Sequence, residues 1–158
     1  MFDTNALFRF RVRELIEDLA GTGVIEPFWS AETEAELRRA LKSRGRGDAD
    51  RFLEGFPSAC VQAGKALDPW LAAKLRDESD QHIIEAALAV DAGLIVTDNP
   101  RDFPLKVLRR IGVDRQSPDD LFASHADDLA SNHAPDDLLR SKLPKTAKAL
   151  KKRAEDRG

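Results

Sequence analysis

Carboxylates are the side chains of this sequence best suited to chemistry, and their addresses matter more than their number. Asp3 follows Met1 and Phe2, read as the remnant of a first strand, and Asp98 follows Leu94 to Thr97, a run fit for a sheet interior. In an open parallel α/β sheet, ligands bind outside the carboxyl ends of the strands, which is where both acids would lie. Asp80 is placed differently. With Ile83, Ile84, Ala87 and Leu88 it completes the i, i+3, i+4, i+7, i+8 set of one helical stripe, so it points along a packed face near a helix N-terminus. A carboxylate there is costly to desolvate unless a cation or a strong donor meets it, although a capping role and the helix dipole offset part of that cost. The helix after Ser30 adds Glu32, Glu34 and Glu36. With Leu37, Ala40 and Leu41 as its buried stripe, Glu32 faces away while Glu34 and Glu36 flank the stripe on opposite sides. Spacing alone does not choose between those two.

Carboxylates converging on one sheet edge repel by about 4 kcal/mol per pair at 4 Å and an effective dielectric near 20. A hard divalent cation removes that penalty. The donors are oxygens, the histidines His82, His125 and His133 are not paired at ligand spacing, and Cys60 is the single cysteine, so magnesium or manganese fits better than zinc. At carboxylates these ions commonly serve phosphate chemistry, polarising a phosphoryl oxygen and acidifying water.

The elements that must position these acids can be read from periodicity. Phe8, Val12, Leu15, Ile16 and Leu19 recur at helical spacing before Gly21 and Gly23. Val24 to Trp29 reads as a short strand with Pro27 at a bend or edge. Ser30 is placed to cap the next helix, with acids in its first turn and basic residues towards its end. Asp48 to Arg76 reads as two less regular helices divided at Asp68 and Pro69. A helix through "DQHIIEAALAVDAG" stops at Gly93, the strand Leu94 to Thr97 follows, and "PLKVLRRIG" holds a short helix before a strand near Val113. Ser117 caps a helix that Pro118 starts. Helices alternating with short apolar strands imply α/β organisation around a parallel sheet.

The length of 158 residues suits one domain with a tail, and 42% hydrophobic with 34% charged residues is a globular composition with a highly charged surface. The sequence pI of about 5.7 and net charge of -3 argue against retention on nucleic acid by bulk charge alone. No segment reads as a membrane span or a secretory signal, and a single cysteine suits a reducing compartment, so a cytoplasmic location is expected. Cys60 is expected to be packed. After His125 the chain turns polar and then basic, which is read as a helix with a frayed end.

In order and spacing, "FDTN", "AEL", "DQHIIEAAL", "LIVTDNPRDFP", "IGV" and "SPDDLF" resemble the PIN domain, and more narrowly the VapC-type ribonuclease toxins of bacterial toxin–antitoxin pairs. The similarity runs from Met1 to Phe122. It implies a three-layer PIN-like α/β fold, a short central parallel sheet flanked by helices, over residues 1–124, with a polar and basic helical extension over 125–158. It implies a metal-dependent endoribonuclease whose catalytic, metal-holding acids are Asp3, Glu36, Asp80 and Asp102, with Mg²⁺ or Mn²⁺ as cofactor. The family pattern sets its second acid directly before an aliphatic residue, which selects Glu36 over Glu34. Thr4 and Asn5 take supporting positions, as do Thr97, Asp98 and Asn99. For the fourth acid Asp102 ranks before Asp98, and Asn99 is a neutral contributor. The resemblance also implies an RNA substrate, a small antitoxin that sets a basic residue in the acidic groove, and a homodimer. Family members have several apolar residues ahead of the first Asp where this chain has Met1 and Phe2, so the expected start lies upstream.

Arg38, Arg39, Lys42, Arg44, Arg46 and Arg51 follow Glu36 closely, and Arg101, Lys106, Arg109 and Arg110 follow the acid loop; either set could hold phosphates or simply cover helix faces. Within these, Arg38, Arg39, Lys42 and Arg101 are the candidates for substrate contact. Trp29 and Trp70 could stack on bases, but core packing is the expectation for both. Two rival readings accompany the nuclease: a PIN-like RNA- or protein-binding module with an incomplete site, and a haloacid-dehalogenase-type phosphatase, which needs a second Asp two residues after the first, where this chain has Asn5.

Overall fold

The structure is a computed structural model that describes residues 1–44, 47–62, 64, 66–75 and 78–157; Arg46 and Arg76, which entered the sequence reading, lie outside the described residues. The chain runs α1 (Thr4–Leu7), α2 (Phe10–Gly21), β1 (Trp29–Ser30), α3 (Ala31–Lys42), α4 (Asp48–Glu54), β2 (Cys60–Val61) and α5 (Pro69–Ala72). It continues through α6 (Gln81–Ala89), β3 (Leu94–Val96), α7 (Leu105–Leu108), β4 (Asp114–Gln116), α8 (Pro118–Ser124), α9 (Pro135–Arg140) and α10 (Pro144–Arg157). Turns of 3₁₀ helix stand before α6 and after α7.

β1 pairs in parallel with β2, and β3 in parallel with β4. Met1 and Phe2 join the two pairs. Phe2 forms a parallel bridge with Val96, its N–H donates to the Phe28 carbonyl at 2.7 Å, and the Val96 N–H donates to the Met1 carbonyl at 2.8 Å. The resulting layer reads β2, β1, Met1–Phe2, β3, β4 across the molecule. Side-chain alternation divides it, because successive strand residues point to opposite faces. Phe2, Trp29 and Val96 enter one apolar cluster with α2, α3, α8, α9 and α10, while Met1, Val61 and Ile95 enter another with α6, Phe103 and Leu108. This is the expected three-layer α/β arrangement. The Met1 ammonium donates to the Leu94 carbonyl at 2.9 Å, and burial lowers its pKa to about 5.

Several expectations need correcting. The first helix is broken at Arg9, whose backbone is extended (φ -85°, ψ 116°) between α1 and α2. The Arg9 guanidinium reaches both Asp98 and the carbonyls of Ser141 and Lys142, contacts distant along the chain. No strand spans Val24 to Phe28: the N–H groups of Val24 and Ile25 turn back to the Leu19 carbonyl, Pro27 has no donor, and pairing begins only at Trp29. Between Asp48 and Arg76 the structure places α4, α5 and a strand, β2, that had not been expected. On α6, Leu88 is 43% exposed and Ala86 takes the buried place, so the buried stripe is turned from the one the periodicity implied. That helix ends at Ala89, ahead of Gly93, and Asp91 adopts the left-handed turn at φ 53°. The strand near Val113 lies at Asp114–Gln116.

The segment after His125 is helical and packed. Leu138, Leu143, Ala147 and Leu150 share the cluster of α2 and α8, and α10 continues to Arg157 rather than fraying. No helix among the described residues is long and apolar enough to cross a membrane.

Candidate functional site

The site is assembled from backbone signals a few residues long. Asp3 ends the Met1–Phe2 segment and caps α1; its N–H donates to the Val96 carbonyl at 3.0 Å and its Oδ1 accepts from the Asn5 N–H at 3.4 Å. Only 3% of it is exposed. Its Oδ2 accepts from the Thr97 hydroxyl at 2.7 Å. Burial raises the Asp3 pKa, the bonds from Thr97, Asn5 and Thr4 oppose the rise, and the charge of Asp102 adds to it. Asp3 and Asp102 therefore share one electrostatic environment.

Thr97 links that acid to the loop beyond β3. Its oxygen accepts from the Asn99 N–H at 2.9 Å, and the Asn99 side-chain amide donates to Asp102. The Asp102 N–H closes the turn on the Asn99 carbonyl at 3.3 Å. Asp98 points elsewhere: Arg9 holds it through two bonds of 3.0 and 2.9 Å on the surface.

Glu36 is reached through α1. The Thr4 hydroxyl lies 2.9 Å from Glu36 Oε2 and 3.1 Å from the Thr33 hydroxyl. Ser30 caps α3 by accepting from the Thr33 N–H at 3.0 Å, and its hydroxyl also meets the Thr33 hydroxyl at 3.0 Å and His82 Nδ1 at 2.7 Å. A continuous polar path thus runs from the first turn of α6 through Ser30, Thr33 and Thr4 to Glu36. Glu34 is engaged differently. Burial alone would push its carboxyl up, but bonds from Trp29, Arg38 and Cys60 outweigh it and leave the carboxyl below the ordinary range. Glu34 accepts from the Trp29 indole at 3.0 Å and pairs with Arg38.

Asp80 occupies the position before α6 at the end of a 3₁₀ turn, half-buried, and makes no side-chain cap bond to that helix. His82, two residues later, joins the polar path through Ser30. Sequence reasoning set His82 aside because it was unpaired at metal-ligand spacing; its proximity to Asp80 was the available signal. Thr33 and Ser30 were missed as hydroxyl partners, and only the Ser30 cap was visible beforehand. Among the basic candidates, Arg38 is tied to Glu34 and Asp50, whereas Arg39, Lys42 and Arg101 are exposed.

At the carboxyl ends of β3 and β4 a cleft of about 620 Å³ opens, lined by Thr97, Asp98, Arg115, Gln116 and Ser117. It lies where an open parallel sheet binds ligands. The donor set around Asp3 is all oxygen, and a buried carboxylate facing a second acid suits a hard cation. Among the described residues, however, no three acids, histidines or cysteines stand close enough together to hold one. Thr97 and Asn99 link Asp3 to Asp102, and Thr4, next to Asp3 in the chain, bonds Glu36 through its hydroxyl.

No curated protein matches the chain, and no solved structure does. The family model of the PIN domain matches residues 1–101, which span Asp3, Glu36, Asp80 and Thr97. Proteins of this family are generally nucleases that use divalent ions, which supports a hydrolase reading and suggests a nucleic-acid substrate. This chain belongs to the PIN-domain family.

Proposed function

We propose that the protein is a divalent-metal-dependent endoribonuclease acting as the toxin of a VapC-type toxin–antitoxin pair. The observation that carries the reading is Asp3: a carboxylate buried at a strand end and held by Thr97, which links it through Asn99 to Asp102. Burying like charges together costs free energy that a cation offsets. Asp3 and Asp102 would hold Mg²⁺ or Mn²⁺, and Glu36 and Asp80 would have to draw in on the ion to complete its ligands. When bound, the ion supplies Lewis acidity toward a phosphoryl oxygen and acidifies water.

The chain's own residues prepare that chemistry. Thr97 orients Asp3 and, through Asn99, the Asp102 side chain; Thr4 orients Glu36. Arg115 lines the adjacent cleft, where a phosphate oxygen would find a cation opposite the acids. A small antitoxin with a basic residue would fit the same acidic edge, and the chain would pair as a homodimer in the cytoplasm.

Cleavage of single-stranded RNA with Mg²⁺ or Mn²⁺ tests the reading, with Asp3→Asn and Asp80→Asn variants and an EDTA control. Activity is expected to fall at least about a hundredfold in each variant and to vanish with EDTA. Equal cleavage by wild type and Asp3→Asn would refute it. A second reading, a binding module with an incomplete site, is favoured by the absence of a three-ligand group among the described residues. Calorimetry with Mn²⁺ separates the two, since such a module gives no saturable heat.

A further inference from the structure

The two tryptophans of the chain have opposite environments. Trp29 is fully buried against Phe52 and Phe56, as expected of a core residue, but Trp70 is 46% exposed. Its ring carries the Arg110 guanidinium, whose carbon lies 5.1 Å from the ring centroid. Together with Lys74, Lys106 and Val107 these side chains line a surface cleft of about 370 Å³. Among the described residues three cations and no acid line it, and none of the three forms an ion pair with a described residue. By contrast, Arg9, Arg11, Arg13 and Arg38 are all paired with carboxylates.

A structural role explains these groups poorly. A core tryptophan would be covered, and cations that merely decorate a surface have no reason to gather on an aromatic face without acids. An exposed indole beside unpaired cations is what single-stranded nucleic acid needs: a π face for one base and positive charge for the flanking phosphates. The cleft is also connected to the site by the chain. Lys106 lies four residues beyond Asp102, at most about 14 Å along the backbone, and β4 and α7 pack together beside the acid loop.

We propose that Trp70, Arg110, Lys74 and Lys106 form a nucleotide subsite for single-stranded RNA, taking one unstacked base on Trp70 and the neighbouring phosphates on the three cations. This deepens the nuclease reading and rests on it for the choice of RNA, since the site would hold the strand a short distance from the acids. Stacking needs no particular base, so the subsite adds affinity and register with little sequence preference.

The test uses the full chain in EDTA, so that binding is read without cleavage, and an oligouridylate of about ten nucleotides as the probe. Trp70 emission should quench saturably on titration, while buried Trp29 stays unresponsive. Anisotropy of labelled RNA should show about tenfold weaker binding for Trp70→Ala and near-wild-type binding for Trp70→Phe, which keeps a stacking face. Lys106→Ala should lower the slope of log affinity against log salt by about 0.7, the value for one phosphate contact on a single strand. Unchanged affinity in both Trp70→Ala and Lys106→Ala overturns the subsite; if the wild type still cleaves RNA with Mn²⁺, the nuclease reading survives that failure. Conversely, Trp70-dependent RNA binding without cleavage keeps the subsite and removes the nuclease. No RNA binding by the wild type, or Trp70 quenching by polyglutamate but not by RNA, overturns the proposal, the latter in favour of an acidic protein partner.

Discussion

Burial raises the Asp3 pKa, with a smaller contribution from the charge of Asp102, and the hydroxyl of Thr97 is the strongest group opposing that rise. Replacing Thr97 by Val removes that bond and the contact to the Asn99 N–H at almost constant volume. Partners of this kind typically contribute 10- to 100-fold to metal affinity, so Mn²⁺ binding measured by calorimetry is expected to weaken by about that factor, and the thermal unfolding midpoint to fall by several degrees because the buried Asp3 oxygen loses its donor. A second residue has a simpler signature. The Cys60 thiol is pushed up from 9.0 to about 11, first by burial and then by its bond to Glu34 and that carboxylate's charge. Both effects disfavour the thiolate, so the nucleophilic form stays scarce below the shifted value. Iodoacetamide alkylation should therefore climb about tenfold per pH unit between pH 7 and 9; a plateau near pH 8.5 would contradict the shift.

Elements whose ends are set by their own residues could be read in advance. Ser30 caps α3, and Ser117 with Pro118 starts α8, because each hydroxyl bonds an N–H three residues on. The acids were legible for the same reason, through strand ends and helix starts. What could not be read depends on partners far along the chain: the break at Arg9 needs Asp98 and Ser141, and β2 exists only because Trp29 stands beside Cys60. The hydroxyl path from His82 to Glu36 crosses four elements and has no local pattern. Another distant partnership fixes α10, whose first-turn N–H groups at Lys145 and Thr146 are accepted at 3.0 and 2.9 Å by Asp119 of α8. Helix N-terminal donors left without an acceptor are costly, so Asp119→Ala is expected to destabilise the fold by about 1 to 2 kcal/mol in urea unfolding. Full retention of stability would show that water replaces the carboxylate at no cost.

For the molecule as a whole, the apolar cluster under α2 is completed by residues beyond the matched family segment. Leu138, Leu143, Ala147 and Leu150 lie in it beside Leu15, Leu19 and Phe122. A chain cut after Leu143 loses Ala147 and Leu150 from that cluster together with the bonds of Arg153 to the Ala126 and Leu129 carbonyls. Burying a side chain the size of Leu contributes about 1.5 to 3 kcal/mol, so the shortened protein should melt several degrees lower and bind a hydrophobic dye; an unchanged melting profile would mean that α10 adds nothing to the fold. The opposite end of the polypeptide carries a practical lesson. The Met1 nitrogen sits inside the sheet, bonded to Leu94, whereas Arg157 is exposed to solvent. Any residues carried ahead of Met1 would have to leave from beside the strand that delivers Asp3, so a purification or imaging tag is better placed on the exposed side of Arg157 than next to Met1.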